Sequence, residues 1–113
     1  MKEGDISLTA LSQSDGKSKL RPVLILRQMP PFNDLLVCGI STQLHQQVKN
    51  FDEILDTNDN DYRQCGLLKT SLIRLGFLAI VPTKNIAGSI GNISTERHKR
   101  LLKNLSEYLY KKL

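Results

Sequence analysis

The feature that most constrains this fold is a series of short strand-like segments, each bounded by turn-forming residues. In the first segment Ile6, Leu8 and Ala10 alternate with polar residues, whereas branched side chains fill the second segment. The proline-rich stretch 30–34 predicts a hairpin connection. The predicted strands are residues 4–11, 20–28, 35–43 and 71–81, with two shorter candidates at 51–54 and 86–93.

The last segment changes to a helical period, which predicts an amphipathic helix over residues 95–112. Ser94 or Thr95 is the predicted N-cap, and Lys111 and Lys112 are placed in the last turn. The predicted apolar face consists of Leu101, Leu102, Leu105, Tyr108 and Leu109. Several strands and one terminal helix predict a mainly β fold, a small barrel with a C-terminal α-helix packed on it.

Length and charge limit the possible classes of protein. A chain of 113 residues is long enough for one core, so residues 1–113 are predicted to form a single domain. The formal net charge is +5, and residues 96–113 carry six basic and two acidic side chains. A solvated helix face explains this excess without a partner, because net charge alone does not establish nucleic-acid binding.

The distribution of apolar residues predicts the cellular location of the chain. No apolar run reaches the roughly 20 residues of a membrane helix, and the first residues lack the apolar run of a signal peptide. We therefore expect a cytoplasmic protein with no membrane association. Cys38 and Cys65 form no CxxC motif and are expected to be reduced thiols.

The acidic segment 56–61 superficially resembles a calcium-binding loop. It has Asp61 where the loop needs a glycine and Leu67 where it needs a glutamate, so an acidic surface loop is the better interpretation. The cysteines and histidines have no zinc-ligand spacing. We expect no metal and no cofactor, and we expect His98 to pack or lie at the surface, not to catalyse.

Two polar segments at strand ends are candidates for a site. Arg21 follows the polar loop 13–19, and a guanidinium there suits bidentate binding of a phosphate. An ion pair at the surface is the alternative for this arginine. The second segment, residues 41–45, brings hydroxyl, amide and imidazole side chains to the end of the third predicted strand.

Strand alternation predicts which of these side chains meet. In a regular third strand Ser41, Gln43 and His45 share one face, and Thr42 points into the core. In strand 71–81 alternation places Arg74 on one face and the set Ile73, Leu75, Phe77, Ala79 and Val81 on the other. Arg21 and Arg74 would then lie beside a hydroxyl, an amide and an imidazole.

Four short segments carry a family resemblance through their order and spacing. They are Gly4-Asp5, Leu20-Arg21-Pro22-Val23-Leu24-Ile25-Leu26, Ile40-Ser41-Thr42-Gln43 and Ile73-Arg74. In this arrangement the chain resembles the MazF/PemK toxins of type II toxin–antitoxin systems, PemK-like growth inhibitors above all. The resemblance follows nearly the whole chain, including the terminal helix.

The resemblance implies an SH3-like barrel of the MazF/CcdB type that forms a homodimer and binds single-stranded RNA along the dimer groove. It implies a sequence-selective, metal-independent endoribonuclease, an mRNA interferase that uses the ribose 2′-OH as nucleophile. It also implies neutralisation by a cognate antitoxin, with DNA contacted only indirectly through the toxin–antitoxin complex.

The family's catalytic residues can be carried over by position. Its catalytic arginine, which precedes a proline, falls on Arg21, and its threonine falls on Ser41, with Thr42 as the neighbouring candidate. Serine replaces threonine here, and the loop has Asp15-Gly16-Lys17 where many members carry a glutamate. Arg21 would stabilise the transition state and Ser41 would donate a hydrogen bond to a phosphoryl oxygen. The predicted RNA-binding residues are Lys17, Lys19, Gln43, His45 and Arg74, and His45 could alternatively transfer a proton.

Two alternatives from other classes stay open at this point. A non-enzymatic toxin of similar fold inhibits DNA gyrase, but that group relies on a C-terminal tryptophan and this chain has none. An inactive homologue that binds only an antitoxin or nucleic acid is the other.

Overall fold

The computed structural model describes residues 2–12 and 18–111. Its elements are β1 (Asp5–Ser12), β2 (Ser18–Met29), β3 (Asp34–Ser41), β4 (Glu53–Leu55), α1 (Tyr62–Cys65), β5 (Ser71–Val81), β6 (Ile86–Asn92) and α2 (Thr95–Tyr110), with 3₁₀ turns at Leu44–Gln46 and Thr83–Asn85. The predicted strands are confirmed, although β3 ends at Ser41 and not at Gln43. Of the predicted polar loop 13–19, residues 13–17, which include Lys17, lie outside the described residues, and Ser18 and Lys19 belong to β2 instead.

The strands form one antiparallel sheet of six, in the order β4-β5-β3-β2-β1-β6. The mainly β class with a C-terminal helix is confirmed, but the sheet is not closed into a complete barrel, since β4 and β6 are its edges within the described ranges. Helix α1 packs against β6. Gly66 ends α1 at φ 75°, and a side chain there would meet the Ile90 carbonyl. In the part of the chain that the structure covers, no helix is long and apolar enough to cross a bilayer.

Two apolar clusters lie on the two faces of this sheet. The larger cluster packs α2 against the sheet, through residues that include Leu24, Cys38, Ile73, Leu75, Leu101 and Leu105. The smaller cluster consists of Val23, Ile25, Leu35, Val37 and Val81. Residues of opposite parity on β2 and β3 belong to different clusters, as strand alternation requires. Both faces of the central strands are therefore buried.

The predicted apolar face of β1 is correct only in part. Ile6 is buried, but Ala10 is exposed, whereas Ser7 and Thr9 on the alternate face are buried. The Thr9 hydroxyl donates to the Asn85 carbonyl at 2.9 Å, so the chain before β6 covers this face.

Helix α2 begins as predicted and ends earlier. The Ser94 hydroxyl accepts a hydrogen bond from the Arg97 N–H at 3.1 Å, which confirms the N-cap. The helix ends at Tyr110, so Lys111 follows the last turn, and Lys112 lies outside the described residues. The predicted apolar face fails at this end, since Tyr108 and Leu109 are exposed.

A buried arginine ties α2 to the acidic segment. Arg97 is 6% exposed and forms ion pairs with Asp61, Asp59 and Glu53, each at 2.9 Å. Asp61 is itself buried, so the prediction of a surface loop is wrong for this residue. Burial acts to raise the pKa of Asp61, but hydrogen bonds from Arg97 and from the Ser94 N–H outweigh it and hold that pKa below its usual value.

Candidate functional site

A groove of about 640 Å³ lies where β2, β3 and β5 meet the segment after α1. Its polar lining comes from strand ends, which the fold leaves at the surface. The polar and charged residues that line it are Arg21, Ser41, Thr42, Gln43, Lys69, Ser71 and Arg74. Its apolar lining includes Leu8, Ile40, Leu67, Leu68, Phe77 and Ile90.

Sheet register explains why distant residues meet in this groove. Val23 on β2 pairs with Gly39 on β3, and Gly39 also pairs with Arg74 on β5. Directly opposed residues share a face, as do residues two apart on one strand. Arg21 and Ser41 each lie two residues beyond this row, so they extend the same face as Arg74.

Ser41 is held at the strand end by its own hydroxyl. The Oγ accepts a hydrogen bond from the Gln43 N–H at 3.0 Å. A serine hydroxyl can accept and donate at once. The Ser41 proton is therefore available for a ligand in the groove, while its oxygen fixes the turn.

The prediction that Thr42 points into the core is wrong. Thr42 is exposed and lines the groove beside the half-buried Ser41. Alternation applies only within a strand, and β3 ends at Ser41. Both hydroxyls are thus placed at the groove.

The predicted position of Phe77 is also wrong. Its side chain is 40% exposed, lines the groove and packs over Gly39, where an added Cβ would lie 3.2 Å from the ring. The pairing of β3 with β5 shifts between Cys38 and Gly39, so alternation along β5 is interrupted before Phe77.

The groove is electropositive in the part of the chain that is described. Its lining contains Arg21, Lys69 and Arg74 and no acidic residue. Neither arginine has a carboxylate within salt-bridge distance among the described residues, whereas Arg97 and Arg100 are both paired. Unpaired guanidinium groups beside hydroxyls suit an anionic ligand such as a phosphate.

The structure does not bring every predicted residue to the groove. Lys19 and His45 are exposed and stand outside the lining, the latter in the 3₁₀ turn after β3. Lys17 is not described. The sequence analysis did not place Lys69 or the apolar residues after α1 in the site. The local signal for this segment is Gly66, which ends α1 and so marks where the segment begins.

The histidine of α2 and the two cysteines have structural roles. His98 Nε2 lies 2.9 Å from the Leu26 carbonyl, and its ring packs on Gly4, which confirms it as a packing residue. Cys38 and Cys65 are free and buried. Burial, reinforced by the charge of Asp52, raises the pKa of the Cys38 thiol.

Comparison with known proteins identifies the family of the chain. A family sequence model, described as the PemK-like, MazF-like toxin of type II toxin–antitoxin systems, matches residues 2–109. The chain belongs to this family. No curated protein sequence matches it. Membership of a type II toxin family implies an antitoxin partner, and MazF/PemK toxins are typically endoribonucleases.

A solved MazF structure shares the fold. The Mycobacterium tuberculosis toxin MazF-mt6 aligns with a TM-score of 0.69 over 96% of this chain and 99% of the other, at 20% sequence identity. At this level of identity the likeness concerns the fold. It agrees with the MazF/PemK assignment over nearly the whole chain.

Proposed function

We propose that this MazF/PemK toxin is a metal-independent, sequence-selective endoribonuclease that cleaves single-stranded RNA. The observation that carries the proposal is the groove in which Arg21, Ser41, Thr42, Gln43 and Arg74 all lie. The set combines cations for phosphates with hydroxyls that can donate to a phosphoryl oxygen.

Cleavage without a metal uses the RNA's own ribose. The 2′-oxygen attacks the adjacent phosphorus, the bond from phosphorus to the 5′-oxygen breaks, and a 2′,3′-cyclic phosphate and a 5′-hydroxyl result. One proton leaves the 2′-hydroxyl and one reaches the departing 5′-oxygen. Arg21 would stabilise the negative charge that develops on the phosphorane, because a guanidinium keeps its positive charge and presents several N–H donors. Ser41 would donate a hydrogen bond to a phosphoryl oxygen, with Thr42 beside it. We assign His45 no proton transfer, since it stands outside the groove lining.

Binding of the RNA would rest on the backbone phosphates. Arg74 and Gln43 would contact the strand in the groove, and Lys69 adds a cation that the sequence had not suggested. Lys19 lies on β2 two residues before Arg21 and shares its face by alternation. Lys19 and His45 would contact RNA where the strand leaves the groove, and Lys17 stays a predicted RNA-binding residue outside the described part of the chain.

A homodimer is the assembly we propose, working in the cytoplasm as one domain over residues 1–113. Phe77, Leu78 and Ile80 expose 40%, 40% and 55% of their surfaces on the second half of β5. Among the described residues β4 pairs with β5 only at Ser71–Ile73, so this half is an open apolar edge. Such edges are usually covered by a partner. The cognate antitoxin would neutralise the toxin with an acidic segment laid in the groove, and DNA would be reached only through that complex.

The test is cleavage of a long mixed-sequence single-stranded RNA in the presence of a chelator. We expect discrete fragments from the wild-type chain and intact RNA from Arg21→Ala. Arg27→Ala is the matched control, because Arg27 is an exposed arginine of the same strand that pairs with Glu3 away from the groove. Equal activity in both variants would remove Arg21 from the site. Intact RNA with wild-type protein, together with gyrase inhibition, would replace the proposal by the non-enzymatic alternative.

A further inference from the structure

The groove owes two of its side chains to a long irregularity in β5. Leu35–Cys38 pair with Leu78–Val81 in one register, but the next residue, Gly39, pairs with Arg74. Residues 75–77 therefore have no partner on β3. In a regular strand Arg74 and Phe77, three positions apart, would point to opposite faces. Both line the groove because of this bulge.

A buried carboxylate supplies a hydrogen bond at the start of the bulge. Asp52 is 6% exposed and precedes β4. Its Oδ1 accepts a hydrogen bond from the Leu75 N–H at 2.9 Å, in a buried position. That N–H needs an acceptor away from water, because a buried backbone donor without one is costly. Asp52 lies on the β4 side of β5, away from β3, and its carboxylate thus accepts from a β5 N–H beyond the residues that pair with β4.

The second oxygen of the same carboxylate binds the chain segment that follows the groove residues Thr42 and Gln43. Asp52 Oδ2 accepts a hydrogen bond from the Val48 N–H at 2.9 Å, and the Asp52 N–H donates to the Val48 carbonyl at 2.9 Å. Val48 lies within the connection from β3 to β4, whose first residues, Thr42 and Gln43, line the groove. One side chain therefore binds both the bulge and this connection.

We propose that Asp52 is a positioning residue for the groove, which holds Arg74 and Phe77 on the RNA-binding face through the Leu75 N–H and steadies the 42–48 connection through the Val48 N–H. The proposal rests on the proposed function, because RNA cleavage reports on Asp52 only if RNA occupies this groove. Asp52 itself lies outside the groove lining and acts through the backbone.

The test is Asp52→Asn, which keeps the size of the side chain but leaves a single oxygen acceptor. The amide nitrogen would then face one of two N–H groups, so one hydrogen bond is replaced by donor–donor repulsion. By NMR we expect faster amide exchange at Leu75 or at Val48, whichever N–H then faces the amide nitrogen, and, where it is Leu75, loss of the nuclear Overhauser effect between the Phe77 ring and Gly39. With mixed-sequence single-stranded RNA we expect kcat/KM to fall about tenfold or more, as happens when binding groups are displaced.

Leu105→Ala is the control for lost stability. Leu105 is a buried residue of α2 that shares a core cluster with Leu75 but makes none of the hydrogen bonds of Asp52, so its truncation lowers the Tm and leaves those bonds in place. At a temperature where both variants are folded, Leu105→Ala should cleave RNA at the wild-type rate and keep the contact between Phe77 and Gly39. If Asp52→Asn does not fold, Asp52→Glu, which moves the carboxylate by one methylene, is measured in the same way.

The outcomes separate this proposal from the proposed function. Loss of the contact between Phe77 and Gly39 together with lower kcat/KM supports the role of Asp52. Faster exchange at Val48 together with lower kcat/KM supports it as well, whereas unchanged exchange at both Leu75 and Val48, or wild-type cleavage despite faster exchange at either, overturns it. If the wild-type chain neither cleaves nor binds RNA, the proposed function fails, and the amide exchange and ring contact alone decide whether Asp52 shapes this groove.

Discussion

Ser41→Ala tests which of the two neighbouring hydroxyls serves the reaction. Ser41 continues the face that carries Arg21, and its Oγ is held at the groove by the Gln43 N–H at 3.0 Å. Thr42 is more exposed and follows the strand. Because a preorganised donor to developing charge is worth about 10²–10³ in rate, Ser41→Ala should slow RNA cleavage by about that factor. Thr42→Ala should leave the rate within about tenfold of wild type.

The effect on stability can be worked out from the same contacts. Ser41→Ala removes one hydrogen bond at a partly exposed strand end, which predicts a loss of about 0.5–1.5 kcal/mol in the free energy of unfolding. Thr42→Ala changes an exposed side chain and should stay within about 0.5 kcal/mol. Both variants therefore remain folded, and any loss of activity is a loss of chemistry.

The assay combines single-turnover cleavage of one RNA with urea unfolding of each variant. Ser41→Thr, which keeps the hydroxyl, is the matched control and should retain most of the activity. If Thr42→Ala abolishes cleavage while Ser41→Ala retains it, the assignment by register is wrong by one residue. A loss of several kcal/mol in Ser41→Ala would instead give that residue a structural role.

Three other predictions concern charge. Arg97→Ala leaves buried Asp61 without its partner and should lower the free energy of unfolding, measured in urea, by about 3–5 kcal/mol. Arg100→Ala breaks an exposed ion pair and should lower it by about 0–1 kcal/mol. Equal losses in the two variants would contradict the buried pairing of Arg97. Because the pKa of Asp61 is lower in the folded chain than in the unfolded one, where it is about 3.9, the ionised Asp61 stabilises the fold at pH values above about 4. Thermal stability should therefore fall as the pH drops below about 4 and through the lowered pKa. In Asp61→Asn the Tm should depend less on pH below about 4, and an unchanged dependence would exclude Asp61 as the source of the effect. RNA affinity should fall with salt with a log–log slope of about −2, if the three basic groove side chains each meet one phosphate of a single strand; a slope near zero would count against backbone contacts.

Local signals were sufficient for most of the secondary structure. The cap at Ser94 and the bounds of β5 follow from residues within a few positions of each other, so they could be predicted from the sequence. The positions of Thr42 and Phe77 could not, because they depend on where β3 stops and where β5 bulges. Both are set by pairing with other strands, which alternation along one strand does not reveal.

The ion pairs of Arg97 were missed for a related reason. Its partners lie 36 to 44 residues away in the sequence. A signal was nevertheless present, because Arg97, Leu101 and Leu105 are spaced by four and form one helical stripe, and all three are buried. A charged residue on an apolar stripe predicts a buried partner of opposite charge.

The distribution of charge in the folded chain changes what its basic pI implies. The C-terminal segment holds most of the excess positive charge in the sequence, yet two of its basic residues, Arg97 and Arg100, are bound to Glu53 and neighbouring carboxylates. The groove is formed by strand ends instead, and its described lining carries three cations and no acid. A local field of one sign attracts a phosphate chain whatever the net charge of the molecule. The nucleic-acid interpretation therefore depends on Arg21, Lys69 and Arg74, and not on the basic helix.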